Sequence, residues 1–361
     1  MEREAQKAQF LAANGLADAT RVKLAGDAST RVYERLTAPD GGSLILMDQP
    51  SQAETAPCPP GASEAERIAA GYNAMSRLAA GRIEAFVAVA GWLREQGLSA
   101  PCIVAHDAPA GLAVIEDLGD DLFATKIADG ADERPLYEAA VDVLARLHAA
   151  PPPERLEASG EVWPLLAYDR LALATGTDTF LEWWPQFAGL PPVAEDAADE
   201  WRALWTPAFE RGAAQAHAFA HRDYHAQNLL WLPDRQGIAR VGLLDFQDAV
   251  RAHPAWDLTH LLQDARRDVS PELEAAMLDR YLAARPDLDR DAFLADYRAL
   301  AASNAARILG RVFARQALLG RAQYREFMPR TWRCLERNLT DPALAPLRAW
   351  FDRHVPAGAR A

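Results

Sequence analysis

Two polar segments, separated by two short apolar runs, constrain the fold of this chain more than any other feature. The first is HRDYHAQN at residues 221–228, and the second is LLDFQD at residues 243–248. Between them, NLLWL and RVGLLDF are rich in the apolar residues typical of short strands, and the polar residues around Gly237 are typical of a turn. The sequence therefore predicts a hairpin that returns Asp245 to a position beside Asn228.

The side chains that this hairpin would bring together are those that phosphoryl transfer requires. The Asp223 carboxylate can accept the proton of an attacking hydroxyl group, while the Asn228 amide oxygen and the Asp245 carboxylate can hold Mg²⁺ across the phosphates. Residues 221–228 also match the HRDxxxxN pattern of kinase catalytic loops. The chain has no GxxxxGK[ST] segment, so it is not a P-loop enzyme.

Two other interpretations of the same residues stay open. His221, Asp223 and His225 alternate as HxDxH and are possible ligands of a transition metal, although the nearby histidines do not repeat this spacing as a dinuclear hydrolase would need. In the second interpretation, Asp223 and Asn228 only cap a loop and complete a turn. As an alternative to binding a metal, His221 is expected to orient the loop backbone and His225 to line the cleft.

The remaining sequence predicts two unequal lobes. Residues 20–49 have the pattern of a small antiparallel meander, and a second hairpin is expected around the turn from Asp107 to Gly111. Between these lie a Pro/Ser/Ala-rich linker and two helical patterns, over 64–80 and 83–97. Beyond about residue 118 helical patterns dominate, so we expect the functional site in a cleft between the lobes.

The charge balance and the cysteines limit the partners and the compartment. The net charge is −13 with 38 basic and 51 acidic residues, which argues against nucleic acids and anionic membranes as partners. Three cysteines far apart in sequence predict a reducing cytoplasm, and no secretory signal or membrane-spanning stretch is expected. No protein partner is predicted.

Six segments distributed along the chain resemble the aminoglycoside phosphotransferase family of small-molecule kinases. They are GDASTRVYER, LILMDQP, VIEDLGDDLF, HRDYHAQN, LLDFQDA and AWDLTHLLQD. The resemblance implies an α+β, two-lobed, protein-kinase-like fold with a small β-rich N-lobe (1–117) that carries an insertion near 50–80. The larger, mostly helical C-lobe would span 118–361.

The same resemblance implies the roles of the site residues. Asp223 would be the catalytic base, Asn228 and Asp245 the Mg²⁺ ligands, and ATP the phosphoryl donor. The nucleotide would contact the loop between the first two strands and the 115–118 backbone, where the candidates are Ser29, Thr30, Arg31, Glu116 and Leu118. A protein-kinase activity is not expected, because Gln247 replaces the Gly of DFG and a helix opening at Asp257 leaves no room for an activation loop.

One departure from the kinase pattern concerns the phosphates. Kinases place a lysine on the third strand, whereas LILMDQP has Met47 and Asp48 at this point. Arg31 or Arg35 would then supply the positive charge, or backbone and metal alone would hold the phosphates. The missing lysine also keeps open a non-catalytic nucleotide-binding pseudokinase.

Within the family, the chain is most similar to cell-wall-recycling kinases that phosphorylate the anomeric hydroxyl group of N-acetylmuramate and N-acetylglucosamine. The segments that carry this similarity are GDASTRVYER with LMDQP, FLEWW, and residues 305–330. An amino-sugar substrate is therefore expected, and an aminoglycoside or another small alcohol is the alternative. Five residues are candidates for the acceptor site: His225, Glu182, Arg307, Arg311 and Arg315. The arginines recur every four residues and would contact the lactyl carboxylate of N-acetylmuramate, and Trp183 and Trp184 would offer an apolar platform for the ring.

Overall fold

A computed structural model describes residues 2–24, 31–50 and 56–360. The strands are β1 (Thr20–Lys23), β2 (Val32–Thr37), β3 (Ser43–Asp48), β4 (Ile103–Asp107), β5 (Leu112–Glu116), β6 (Arg155–Ala158), β7 (Glu161–Pro164), β8 (Ala218–Ala220), β9 (Leu229–Trp231), β10 (Val241–Leu243) and β11 (Val250–Ala252). The helices are α1 (Glu2–Ala13), α2 (Glu64–Ala70), α3 (Tyr72–Met75), α4 (Ile83–Glu95), α5 (Phe123–Ala128), α6 (Glu133–Leu147), α7 (Arg170–Ala188), α8 (Glu195–Ala214), α9 (Ala255–Leu262), α10 (Pro271–Ala284), α11 (Arg290–Arg307), α12 (Arg315–Leu318), α13 (Met328–Asn338) and α14 (Ala345–His354).

The N-terminal part contains a five-stranded antiparallel sheet in the order β1-β2-β3-β5-β4. Both predicted hairpins are present, because β1, β2 and β3 form the meander and β4 pairs with β5. The larger C-terminal part is mostly helical. The predicted α+β fold, with a small β-rich N-lobe and a larger helical C-lobe, is confirmed.

Helix α1 covers the outer face of this sheet, which the sequence analysis did not anticipate. Phe10 and Leu11 pack in a small apolar cluster with Leu46, Leu112 and other sheet residues. Beside the cluster, the Lys7 ammonium group donates to Glu34 Oε1 at 2.7 Å. Because strand residues alternate between faces, Leu46 points towards α1 whereas its neighbours Ile45 and Met47 join the main core on the opposite face.

The helix predicted over 64–80 is shorter and broken. It begins with a capping box in which Ser63 and Glu66 satisfy each other's backbone N–H groups. Gly71, at φ 91°, ends α2 because this left-handed conformation is readily adopted only by glycine. The short helix α3 follows and ends at Met75.

Aromatic side chains fill the core of the C-terminal part. Phe180 stacks against Trp184 and Trp201, with ring centroids 5.8 and 5.5 Å apart. Trp184 is fully buried, and its indole N–H donates to the carbonyl of Ala359 at 3.2 Å. Trp184 is therefore a core residue, and its expected role as a platform for a sugar is wrong. None of the described helices is long and apolar enough to span a membrane.

The long helix that carries the candidate arginines changes its winding. Between α11 and α12, residues Ile308–Ala314 form a π-helix, and such segments are frequent at functional sites. Gly310 lies against α7 so closely that a Cβ atom there would be 2.6 Å from the Phe180 backbone nitrogen. Glycine is required at this crossing because the two backbones are almost in contact.

Candidate active site

The two polar segments meet as their spacing predicts. Strands β9 and β10 pair antiparallel, with Leu229 opposite Leu243. The backbone N–H of Leu244 then donates to the Asn228 carbonyl at 3.0 Å. This hydrogen bond places Asn228 directly beside the residue that precedes Asp245.

A buried carboxylate fixes the backbone of the loop formed by residues 221–228. Asp257, at the start of α9, accepts the backbone N–H of His221 at 2.6 Å and that of Arg222 at 2.9 Å. Arg222 has a φ of 76°, an uncommon conformation for a non-glycine residue. Burial raises the pKa of Asp257 to about 7, even though both N–H groups favour its charged form. An aspartate at the start of this helix is predicted from the sequence to steady the loop without taking part in the chemistry, and the two hydrogen bonds agree with that prediction.

Hydrogen bonds within the loop fix the orientation of Asn228. Its side-chain Nδ2 donates to the Asp223 carbonyl at 2.9 Å, so the amide oxygen is left for another partner. The Asp223 backbone N–H lies 3.3 Å from His221 Nδ1, which gives His221 the backbone-orienting role expected from the sequence. The loop thus presents one carboxylate and one amide oxygen from a rigid frame.

Asp245 meets a guanidinium group from the other lobe. Its Oδ1 accepts from Arg31 Nη1 at 2.9 Å and from Gln247 Nε2 at 3.1 Å. Burial alone would raise the pKa of Asp245, but Arg31 and Gln247 outweigh burial and the pKa is lowered. Like Arg222, Asp245 has a left-handed backbone, with φ 61°. The carboxylate is partly exposed, so it is accessible to a metal ion.

The donor set fits Mg²⁺ better than a transition metal. Asp245 and Asn228 offer a carboxylate and an amide oxygen, which are hard ligands of the kind that Mg²⁺ takes together with phosphate oxygens. In the described part of the chain, no group of three or more His, Cys, Asp or Glu side chains is arranged to hold a metal ion. The geometry therefore gives no support to the alternative based on HxDxH.

A cavity of about 60 Å³ opens beside the Asp223 carboxylate. Two of the predicted acceptor residues, His225 and Arg307, line it together with Asp223. Burial lowers the pKa of His225 to about 4, so its ring is neutral at pH 7. The neutral ring lies 3.0 Å from Arg266 Nη1 and accepts that N–H at Nε2.

The other predicted acceptor residues do not line this cavity. The Arg311 guanidinium lies 3.9 Å from the centre of the Tyr72 ring, and that of Arg315 lies 5.6 Å from the Trp183 ring. Glu182 is exposed and borders a separate groove. Arg307 is thus the one of the three predicted arginines that the structure places beside Asp223.

The residues predicted to bind the nucleotide have different surroundings in the structure. Glu116 forms an ion pair with Arg235 of the C-lobe. Leu118 lies against the β9–β10 hairpin, since a Cβ atom on Gly242 would be 3.5 Å from its side chain. Arg35 pairs with Asp117 and Asp120, which leaves Arg31 as the arginine that reaches the cleft. Ser29 and Thr30 lie outside the described residues.

The sequence analysis missed Arg266 and Asp264, both of which line the Asp223 cavity. Asp264 is buried and accepts the backbone N–H of Arg266 at 2.8 Å. Asp264 is the last residue of the quoted segment AWDLTHLLQD, and Arg266 follows two residues later. Their position at the end of this segment could have indicated that they belong to the site. A single sequence, however, does not show which residues at the end of a helix face a cleft.

Comparison with known proteins gives consistent matches. The pattern described as "Phosphotransferase enzyme family" matches residues 20–294. A protein of Caulobacter vibrioides named N-acetylmuramate/N-acetylglucosamine kinase is 61% identical over 99% of this chain and 98% of its own length. A Pseudomonas aeruginosa protein of the same name is 29% identical over 72% of this chain and 64% of its own length. Among solved structures, a choline/ethanolamine kinase family protein from Mesorhizobium loti superposes with a TM-score of 0.54 at 18% identity, covering 97% of this chain and 99% of that one.

Proposed function

This chain belongs to the phosphotransferase enzyme family, and from that premise we propose that it is an ATP-dependent kinase of amino sugars. The proposed reaction transfers the γ-phosphoryl group to the C1 hydroxyl group of N-acetylmuramate, N-acetylglucosamine or both. The observation that carries the choice of substrate is the 61% identity to the Caulobacter vibrioides kinase over almost the whole of both chains. The expected cellular role is peptidoglycan recycling in the cytoplasm.

In the proposed mechanism, Asp223 orients the acceptor hydroxyl group and accepts its proton. The rigid loop supports this role, because its backbone is fixed at His221 and Arg222 by Asp257 and positioning contributes much of the rate in phosphoryl transfer. Asn228 and Asp245 would hold Mg²⁺, which neutralises charge on the phosphates when bound. The backbone around Glu116 and Leu118 would contact the adenine base of the nucleotide.

Two guanidinium groups line the cavity beside Asp223, together with the carboxylates of Asp223 and Asp264, and could bind an anionic group of the acceptor. Arg266 and Arg307 both line the cavity, and no carboxylate partner of either side chain is present among the described residues. Arg307 Nε donates instead to the neutral Asn304 side chain at 3.0 Å. A carboxylate on the sugar, as in the lactyl group of N-acetylmuramate, would satisfy such a guanidinium. Aminoglycosides would place further positive charge there.

The decisive experiment measures ADP release from ATP with a panel of acceptors: N-acetylmuramate, N-acetylglucosamine, kanamycin, choline and homoserine. We expect turnover with one or both amino sugars and none above background with the others. Turnover restricted to kanamycin or choline would contradict the substrate, and no turnover with any acceptor would favour the pseudokinase.

A variant of Arg307 separates the two amino sugars. We expect Arg307→Met to raise the KM for N-acetylmuramate by about tenfold or more, because a charge-assisted hydrogen bond is lost. The KM for N-acetylglucosamine, which has no carboxylate, is expected to change by less than about threefold. Equal effects on both sugars would assign Arg307 a role other than binding the carboxylate. Arg325→Met, which removes an arginine stacked on Phe187, is the matched control.

A further inference from the structure

In the described part of the N-lobe, no lysine side chain points to the cleft. Lysine occurs only at positions 7, 23 and 126 of the chain. Lys7 lies on the outer face of the sheet, where it pairs with Glu34. On β3, Met47 points into the core on the cleft side and is fully buried, whereas Asp48 points to α1 and pairs with Arg3. The strand that supplies the phosphate-binding cation in kinases therefore presents a thioether.

A cation enters the cleft from the neighbouring strand instead. Arg31 immediately precedes β2, and Tyr33 pairs with Met47 across the sheet. Because alternate residues of a strand share a face, Arg31 lies on the same face as Tyr33 and Met47. Its guanidinium group, 8% exposed as a residue, crosses from the N-lobe to Asp245 Oδ1 at 2.9 Å.

Two neutral side chains also hold this guanidinium in place. Arg31 Nε donates to Gln49 Oε1 at 2.8 Å, and Nη1 lies 2.9 Å from the Tyr33 hydroxyl oxygen. Gln49 is itself confined, because a Cβ atom on Gly81 would be 2.5 Å from its amide nitrogen. Apart from Gln49 and Tyr33, Arg31 contacts the candidate metal ligand Asp245, whereas Arg35 is paired with Asp117 and Asp120.

We propose that Arg31 is the residue that binds the nucleotide phosphates, so that the cation of the site has moved from β3 to the start of β2. This inference rests on the proposed function for the identity of the nucleotide. The contact with Asp245 places the guanidinium next to the carboxylate that would hold the metal, which is where phosphate oxygens of a bound nucleotide meet both. The planar guanidinium can donate two parallel hydrogen bonds to phosphate oxygens, which an ammonium group does not do.

The test compares the binding of ATP and of adenosine to the full chain by titration calorimetry, with no acceptor sugar present. In Arg31→Gln we expect the Kd of ATP to rise by about 10- to 100-fold, the range for losing a charged hydrogen-bonding partner. The Kd of adenosine, which has no phosphates, should change by less than about threefold. Arg31→Lys should retain most of the ATP affinity, and Arg35→Gln should leave the ratio of the two Kd values unchanged.

Measurement in excess EDTA decides whether Arg31 acts directly. A residue that only positions Asp245 would weaken ATP binding in the presence of Mg²⁺ alone, as Asp245→Asn is expected to do. A residue that binds phosphate weakens it without Mg²⁺ as well, and this is the result that supports the proposal. The proposal is overturned if ATP affinity falls only with Mg²⁺, if adenosine affinity falls equally, or if the lysine and glutamine variants lose the same affinity. These outcomes do not depend on which acceptor is phosphorylated, so they remain distinct from a failure of the amino-sugar assignment.

Discussion

At the scale of single residues, the proposed chemistry depends on the carboxylate of Asp223. Asp223 lines the acceptor cavity and has no ion pair among the described residues, whereas Asp245 pairs with Arg31. A general base must lie within hydrogen-bonding reach of the hydroxyl group whose proton it accepts, and Asp223 is the aspartate of the pair that lines the acceptor cavity. This contrast supports the separate roles of base and metal ligand for two aspartates in the same cleft.

Asp223→Asn is expected to lower kcat by at least about 100-fold, because the amide cannot accept the proton of the hydroxyl group. The Kd of ATP should stay within about threefold, since Asp223 lies on the acceptor side. ADP release and calorimetric titration measure the two effects. Asp142→Asn, which removes a surface carboxylate paired with Arg280, is the control, and near-normal turnover in Asp223→Asn would contradict the role of base.

His148 predicts a pH dependence of stability. Because a carbonyl only accepts, the Nε2–H group of the neutral ring donates to the Phe219 carbonyl at 3.0 Å, and Nδ1 accepts from the Tyr281 hydroxyl group at 2.7 Å. Burial lowers the pKa of His148 to about 3 from the ordinary 6.5. The unfolded chain therefore binds the proton that the folded chain rejects, and the free energy of unfolding decreases as pH falls from about 6.5 towards 3.

In His148→Gln, the slope of the free energy of unfolding against pH should be smaller by about one proton, or roughly 1.3 kcal/mol per pH unit near pH 5. Urea unfolding at several pH values between 4.5 and 7.5 measures this slope. His354→Gln, at a half-buried position on α14, is the matched control. An unchanged slope in His148→Gln would show that this histidine is protonated in the folded protein.

At the scale of elements, the π-helix between α11 and α12 begins directly after the arginine that lines the cavity and contains or precedes the two predicted acceptor arginines that do not line it. It follows Arg307 directly and crosses α7 at Gly310. Winding with more residues per turn changes the direction of each later side chain. Arg307, which precedes the π-helix, lines the cavity, whereas Arg311 within it and Arg315 after it lie against Tyr72 and Trp183.

Gly310→Ala is expected to destabilise the protein by about 1–3 kcal/mol, because the added methyl group would overlap the α7 backbone and force the helices apart. Chemical denaturation measures the loss. Gly358→Ala is the control, since a Cβ atom there meets nothing within 4 Å. A Gly310→Ala variant as stable as the control would contradict the close contact of the two helices.

At the scale of the whole molecule, ion pairs and hydrogen bonds join the two lobes around the cleft. The insertion between β3 and α4 binds the C-lobe through Arg67 and Arg77, which share the Asp169 carboxylate. The Ala79 backbone N–H donates to Asp248 Oδ1 at 2.6 Å. Across the other side of the cleft, Glu116 pairs with Arg235. The insertion is therefore held firmly against the C-lobe. Its Tyr72 ring also packs against the guanidinium group of Arg311.

Asp169→Ala should reduce stability by about 3–5 kcal/mol, because it leaves the buried Arg67 guanidinium, 2% exposed, without its carboxylate. Asp169 also caps α7 through the Ala172 N–H, and this contribution needs its own control. Asp289→Ala removes the equivalent cap of α11 and is expected to cost only about 1 kcal/mol. Equal losses in the two variants would show that the ion pairs contribute nothing.

The sequence by itself determined the local parts of this protein. The meander, the 103–116 hairpin and the β9–β10 hairpin depend on apolar runs and turn residues that are close together in the chain. The same short range places Asp223, Asn228 and Asp245 together, because a hairpin fixes its own register. The resemblance to a family then supplied the arrangement of the lobes, which the fold confirms.

Only the tertiary structure decided which distant side chains share the cleft. Arg31 and Asp245 lie far apart in the chain, and whether Arg31 or Arg35 faces the cleft depends on how the sheet meets the C-lobe. The four-residue spacing of Arg307, Arg311 and Arg315 likewise predicts that they share one helix face. The structure instead has a π-helix here, where Gly310 contacts α7, and no local sequence pattern predicts it. Packing between elements sets these positions, because it depends on shapes and backbone approaches that a single sequence does not encode in its spacing.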